Sequence, residues 1–179
     1  MLKPLPIQRG MTIVEIMISL AVLGILLMVA LPNFAAWLQN LQLRAATEAG
    51  LNGLQIARAE AIRRNVLVQL AVGPGTGWTV SEAASGAVIQ SKVHAEGSAN
   101  AVVAITPGGS TLVTFTPLGG VGANSDATAA VTQLDFTNPT GGSCQPTGPM
   151  RCLRVVVTGG GSVKMCDPAL ASTDPRGCP

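Results

Sequence analysis

A single carboxylate, Glu15, is the fifth residue of an almost uninterrupted apolar run over residues 11–31. An ionised side chain at the centre of a lipid-embedded helix costs about 2.5–3.5 kcal/mol, so the run needs something to neutralise Glu15. Four cysteines, Cys144, Cys152, Cys166 and Cys178, all fall in the last 36 residues, with gaps of seven, thirteen and eleven. No Cys-x-x-Cys pair suggests zinc or redox chemistry, and an even count in an exported segment argues for two disulfides. Cys144 with Cys152 and Cys166 with Cys178 are the expected pairs, because each closes a small Gly/Pro-rich loop; Cys152 with Cys166 is the alternative.

Other chemistry is sparse. His94 is the only histidine, in a stretch with Lys92 and Glu96, and reads as solvated. No Gly-x-Ser-x-Gly elbow accompanies it. The glycines of residues 73–77 lack the Lys-Ser/Thr of a phosphate loop and lead into a strand-like run, so they read as turns. No catalytic residue, metal site or cofactor is predicted. Arg151, Arg154, Lys164 and Arg176 could form a small cationic patch for DNA, although Asp126, Asp135, Asp167 and Asp174 match them in number. So few phosphate contacts would bind weakly and with strong salt dependence.

The elements that must carry these residues follow from periodicity. Residues 11–31 number 21, which at about 1.5 Å each span the roughly 30 Å of a bilayer core. Lys3 and Arg9 precede the run and no basic residue follows until Arg44, which keeps the N-terminus cytoplasmic and exports the rest. The run exceeds the ~7–15 residues of a secretory h-region.

The leader ending in Gly10, followed by Met11-Thr12-Ile13-Val14-Glu15 and an apolar stretch with Pro32, resembles the class III signal of type IV pilins and type II secretion pseudopilins. That resemblance implies cutting by a prepilin peptidase between Gly10 and Met11 and methylation of the new N-terminus. Met11 stands where the family most often has Phe. The new amine could meet Glu15 on the same helix face or come from a neighbouring subunit. In the family the second pairing guides subunits into the filament, a register device more than a source of stability.

Removing residues 1–10 leaves 179 − 10 = 169 residues, and takes away Lys3 and Arg9 to leave nine basic and nine acidic side chains. No net field then recruits nucleic acid, and a chain without Tyr offers little for base stacking. Helical periodicity resumes over residues 33–65, with Leu43, Ala46, Gly50, Leu54, Ala57 and Ala61 forming a small-residue stripe expected to pack on the chain's own head. Arg63-Arg64-Asn65 reads as the end of that helix, where cations complement the dipole, in preference to a phosphate cluster.

Residues 43–66, ending Ala57-Arg58-Ala59-Glu60-Ala61-Ile62-Arg63-Arg64-Asn65-Val66, resemble the FimT/GspH group of minor pilins and pseudopilins, with Ala59 in place of a serine. Beyond them, strand-like runs at 66–72, 78–81, 87–93, 101–105, 111–115, 131–136, 152–157 and 162–166 alternate with Gly/Pro turns. The predicted fold is α+β: a long N-terminal helix, membrane-spanning in its first half, packed against an antiparallel β-sheet head. Its expected divisions are a leader (1–10), a membrane and polymerisation helix (11–32), the amphipathic half of that helix (33–65) and a β-rich head with a disulfide-stapled end (66–179).

Residues 152–168 resemble the C-terminal hairpin of FimT-like proteins, some of which bind DNA through Gly-Arg-x-Arg. Here the matching positions are Gly161-Ser162-Val163-Lys164, with one cation absent and the other a lysine. The resemblance implies a minor pilin assembling into or priming a type IV pilus near its tip. Its partners would be other major and minor pilins, prepilin peptidase, the inner membrane and the assembly platform. The head would be periplasmic before incorporation. A GspH-type pseudopilin and a DNA-binding pilin of natural transformation are the alternatives.

Overall fold

The computed structural model describes residues 10–179. The expected leader with Lys3 and Arg9 lies, apart from Gly10, outside the described residues. Two compact units divide the chain, the first ending at Ala35 and the second running Ala36–Pro179. One helix, α1 (Ile13–Arg64, 52 residues), contributes to both.

In the first unit, Gly10 to Thr12 are not helical. Thr12 then caps α1: its Oγ1 accepts the Glu15 N–H at 3.2 Å, a contact from N-cap to N3. Glu15 is the acidic residue of the first turn, where the helix macrodipole favours negative charge. The large apolar side chains described along residues 11–31 are exposed. Among the described residues no single helix is long and apolar enough to cross a membrane; Ile13–Met28 and Asn33–Arg64 meet that test only together, as a broken pair. The break falls on residues 29–32, where Pro32 contributes no backbone N–H.

In the second unit, α1 ends in a Schellman arrangement. Asn65 adopts φ 55° and the Val66 N–H donates to the Ala61 carbonyl at 3.3 Å, closing the last turn. The expected stripe is buried, with Leu43, Ala46, Leu54, Ala57 and Ala61 at 0–1% exposure. Its small size has a geometric use. A Cβ on Gly50 would sit 2.7 Å from Phe136 Cζ, and one on Gly53 would sit 2.8 Å from the Trp78 ring, so both aromatic rings lie directly against the helix backbone.

Two antiparallel sheets supply those rings, where the sequence suggested one. The first is ordered β3-β2-β1-β5-β6 from β1 (Val68–Val72), β2 (Trp78–Glu82), β3 (Val88–Lys92), β5 (Leu112–Phe115) and β6 (Val121–Gly122). The second is ordered β4-β7-β8-β9 from β4 (Val102–Thr106), β7 (Gln133–Thr137), β8 (Leu153–Val157) and β9 (Val163–Cys166). Period-two alternation buries Val68 and Leu70, Val113 and Phe115, Leu134 and Phe136, and Val155 and Val157. These side chains and the helix stripe form one core.

Candidate functional site

Three places carry the residues singled out by sequence. At the N-terminal end, Gly10 and Met11 are exposed and precede the helix. Among the described residues nothing lies within 4 Å of a Cβ built on Gly10. Glu15 stands one helical turn on, engaged through its backbone with Thr12 and through its carbonyl with Ser19 Oγ at 2.7 Å. The Thr-x-x-Glu spacing of a capping box is the sequence signal for Thr12 at this position.

The C-terminal region is organised by two bridges, Cys144–Cys152 and Cys166–Cys178, and the alternative Cys152–Cys166 bond is not formed. Each closes a short loop, for which about 2–4 kcal/mol of stabilisation is typical. Sequence reading missed what docks these loops. Asn40 of α1 donates to the Pro149 carbonyl at 3.2 Å and accepts the Arg151 N–H at 2.7 Å. Its neighbour Gln39 accepts from Asn138 at 2.7 Å and from Asn100 at 3.2 Å. Asp167, read from sequence only as a balancing charge, is 3% exposed and serves as a hub. Its carboxylate accepts Arg151 Nε at 2.7 Å and the Ala169 N–H at 3.0 Å, while its own N–H donates to the Arg176 carbonyl at 2.8 Å.

The four cations proposed for DNA do not form one patch. Arg151 and Arg176 line a groove of about 580 Å³ with Trp37, Leu41, Arg44 and Met165. Arg154 is opposite Asp135 in the β7/β8 register, paired to it at 2.6 Å, and strand alternation puts it on the face away from groove-lining Leu153. Lys164, opposite Val156, shares Arg154's face. Arg176 is 3.2 Å from Asp174, whose carboxyl it holds below the usual range by hydrogen bonding. Gly161 has a structural reason for its identity: φ is 75°, and a Cβ would run into the Gly119 carbonyl oxygen.

Two further expectations change or sharpen. His94 is half-buried where sequence suggested solvation. Its Nδ1 accepts the Thr76 N–H at 3.1 Å, which puts the proton of the neutral ring on Nε2. Thr76 Oγ1 also meets Ser98 Oγ at 2.8 Å, and Ser98 is 1% exposed, so this hydroxyl cluster ties two loops together and presents no accessible nucleophile. Arg63 and Arg64 both grip Glu60 at 2.6 Å, lowering its pKa from 4.5 to about 2, chiefly by hydrogen bonding. Among the described residues no group of three or more His, Cys, Asp or Glu could hold a metal ion.

A long N-terminal helix followed by antiparallel sheets is the architecture of a pilin. The same fold occurs in the crystal structure of the type IV minor pilin FimU of Pseudomonas aeruginosa strain PAO1, seen in two crystal forms. One gives a TM-score of 0.50 and the other 0.52, both at 18% identity and covering 73% of this chain, with 97% and 92% of the FimU chains covered. No curated protein matches the sequence. The family described as Type II transport protein GspH matches residues 46–161, and the prokaryotic N-terminal methylation motif matches residues 6–31. The chain belongs to the GspH family, the FimT/GspH-like group of type IV minor pilins and pseudopilins.

Proposed function

We propose that this chain is a minor pilin that is cut by prepilin peptidase between Gly10 and Met11 and is built into, or primes, a type IV pilus near its tip. The observation that carries the reading is the exposed apolar surface of α1 over residues 11–31, joined to a methylation motif. Such a surface needs lipid before assembly and neighbouring helices after it. The inner membrane, the assembly platform and other major and minor pilins supply those surroundings. The N-terminus is then cytoplasmic and the disulfide-stapled head periplasmic. Glu15 sets register by meeting the amine of a neighbouring subunit. The role is structural and not catalytic.

Among the described residues nothing opposes a Cβ at Gly10, which supports a processing role, because the requirement for glycine is then left to the peptidase. Gly10→Val is expected to keep the leader attached, read by intact mass. Normal maturation of that variant would sink the assignment. The name of the matching family favours a second reading, a pseudopilin of type II secretion. Deleting the gene separates the two: loss of surface filaments supports the pilus, and loss of secreted enzymes with filaments intact supports the pseudopilus.

A further inference from the structure

The groove in the second unit combines an apolar floor of Trp37, Leu41 and Met165 with a rim of Arg44, Arg151 and Arg176, and its volume of about 580 Å³ suits a small ligand. We propose that it holds the headgroup of an anionic phospholipid from the membrane that anchors the chain, an inference that rests on the anchored reading above.

Charge is the first support. Three guanidinium groups line the groove against one carboxylate, Asp167, whose side chain is 4% exposed and already held by Arg151 at 2.7 Å. Among the described residues Arg44 and Arg176, each 67% exposed, are paired with Glu48 at 2.7 Å and Asp174 at 3.2 Å, both on their own stretch of chain. Pairs as exposed as these contribute little, about 0–1 kcal/mol, whereas a phosphodiester offers guanidinium groups a bidentate partner.

Continuity is the second. Exposed apolar side chains on α1 do not stop at Leu31 but continue through Phe34, Trp37, Leu38 and Leu41. From Met11 to Leu41 there are 31 residues, against the ~20 that a hydrocarbon core accommodates. Trp37, exposed on α1, suits a membrane–water interface, where tryptophan is enriched. Arg44 follows two turns after Trp37, in position for headgroups. Trp37, Leu41 and Met165 then take the glycerol and first acyl carbons while the arginines take the phosphate.

The test uses the full chain in phosphatidylcholine vesicles containing, at equal mole fraction, brominated phosphatidylglycerol or brominated phosphatidylcholine. Trp37 and Trp78 are the two tryptophans, and Trp78 is buried, so quenching reports mainly on Trp37. Stronger quenching by the anionic lipid is expected, with the preference falling about fivefold for each of Arg44→Gln and Arg176→Gln. Equal quenching by the two lipids overturns the proposal, as does a preference that survives both substitutions. Protection from both lipids that is relieved on dilution would put a second copy in the groove instead. A chain that fails to float with either vesicle overturns the anchored reading itself, and the headgroup site with it.

Discussion

Two stretches of α1 were made by the same helical geometry for different surroundings. Over residues 13–31 the outward side chains are large, with Ile, Leu, Val and Met exposed. Over residues 43–61 the buried positions include Ala46, Gly50, Gly53, Ala57 and Ala61, with leucine only at Leu43 and Leu54. The difference lies in what fills the space beside the backbone. Large side chains provide their own contact surface for lipid or another helix. Small ones give up that space so that rings from a sheet can fill it, and here Phe136 and Trp78 do so. Helix propensity would not have told these stretches apart, whereas side-chain volume does.

The contrast can be broken most directly by glycine substitution. Gly50→Leu should drive into Phe136 and cost about 3 kcal/mol or more of head stability, while Gly24→Leu, which meets nothing within 4 Å, should leave it unchanged. Denaturant melts of the two variants provide the comparison, and equal midpoints would refute the packing account. Next in size, a Cys144→Ser/Cys152→Ser double variant should lose about 2–4 kcal/mol in the same melts, with the Cys166–Cys178 bridge intact by mass. Asn40→Ala removes an acceptor for the Arg151 N–H and a donor to Pro149, and should cost about 1–3 kcal/mol. Its effect should nearly vanish once the 144–152 loop is already opened by the cysteine variant, a coupling that a double-mutant cycle would measure.

The smallest effect concerns the end of the helix. Glu60 is held at about 2 in the folded head against an ordinary value of 4.5, so its contribution is fully present above 4.5 and is lost as pH falls towards 2. Glu60→Gln should therefore lower the neutral plateau slightly, leave the acid end unchanged, and so flatten the acid limb of a stability-against-pH curve. An unchanged acid limb would show that Arg63 and Arg64 do not hold Glu60 in solution.

Periodicity made the fold legible. All eight strand-like runs correspond to strands, and the helix end at Arg63-Arg64-Asn65 lies where its residues indicated. The omission, β6, has two residues, Val121 and Gly122, too few for alternation to register. Parity explains why the cations do not share one face: Arg151, Arg154 and Lys164 lie close in sequence, but strand alternation puts Arg154 and Lys164 on the face away from Leu153 and the groove. Gln39 and Asn40 were invisible because amides on a helix look the same whether they face water or a loop from the far end of the chain. Asp167 hid for a related reason. Its burial depends on the Cys166–Cys178 loop folding back, with the Asp167 N–H reaching the Arg176 carbonyl at 2.8 Å.

Both bridges join cysteines that are consecutive in the chain, with sequence separations of 8 and 12. Four cysteines allow three connectivities, and this is the one that follows the order in which the thiols would cross a membrane, from Cys144 to Cys178. Each thiol's first available neighbour is therefore either its native partner or one from an already closed pair. An oxidant acting on the emerging chain would need no subsequent shuffling by an isomerase, and the sheet strands between Cys152 and Cys166 would be free to pair without a covalent constraint across their turn.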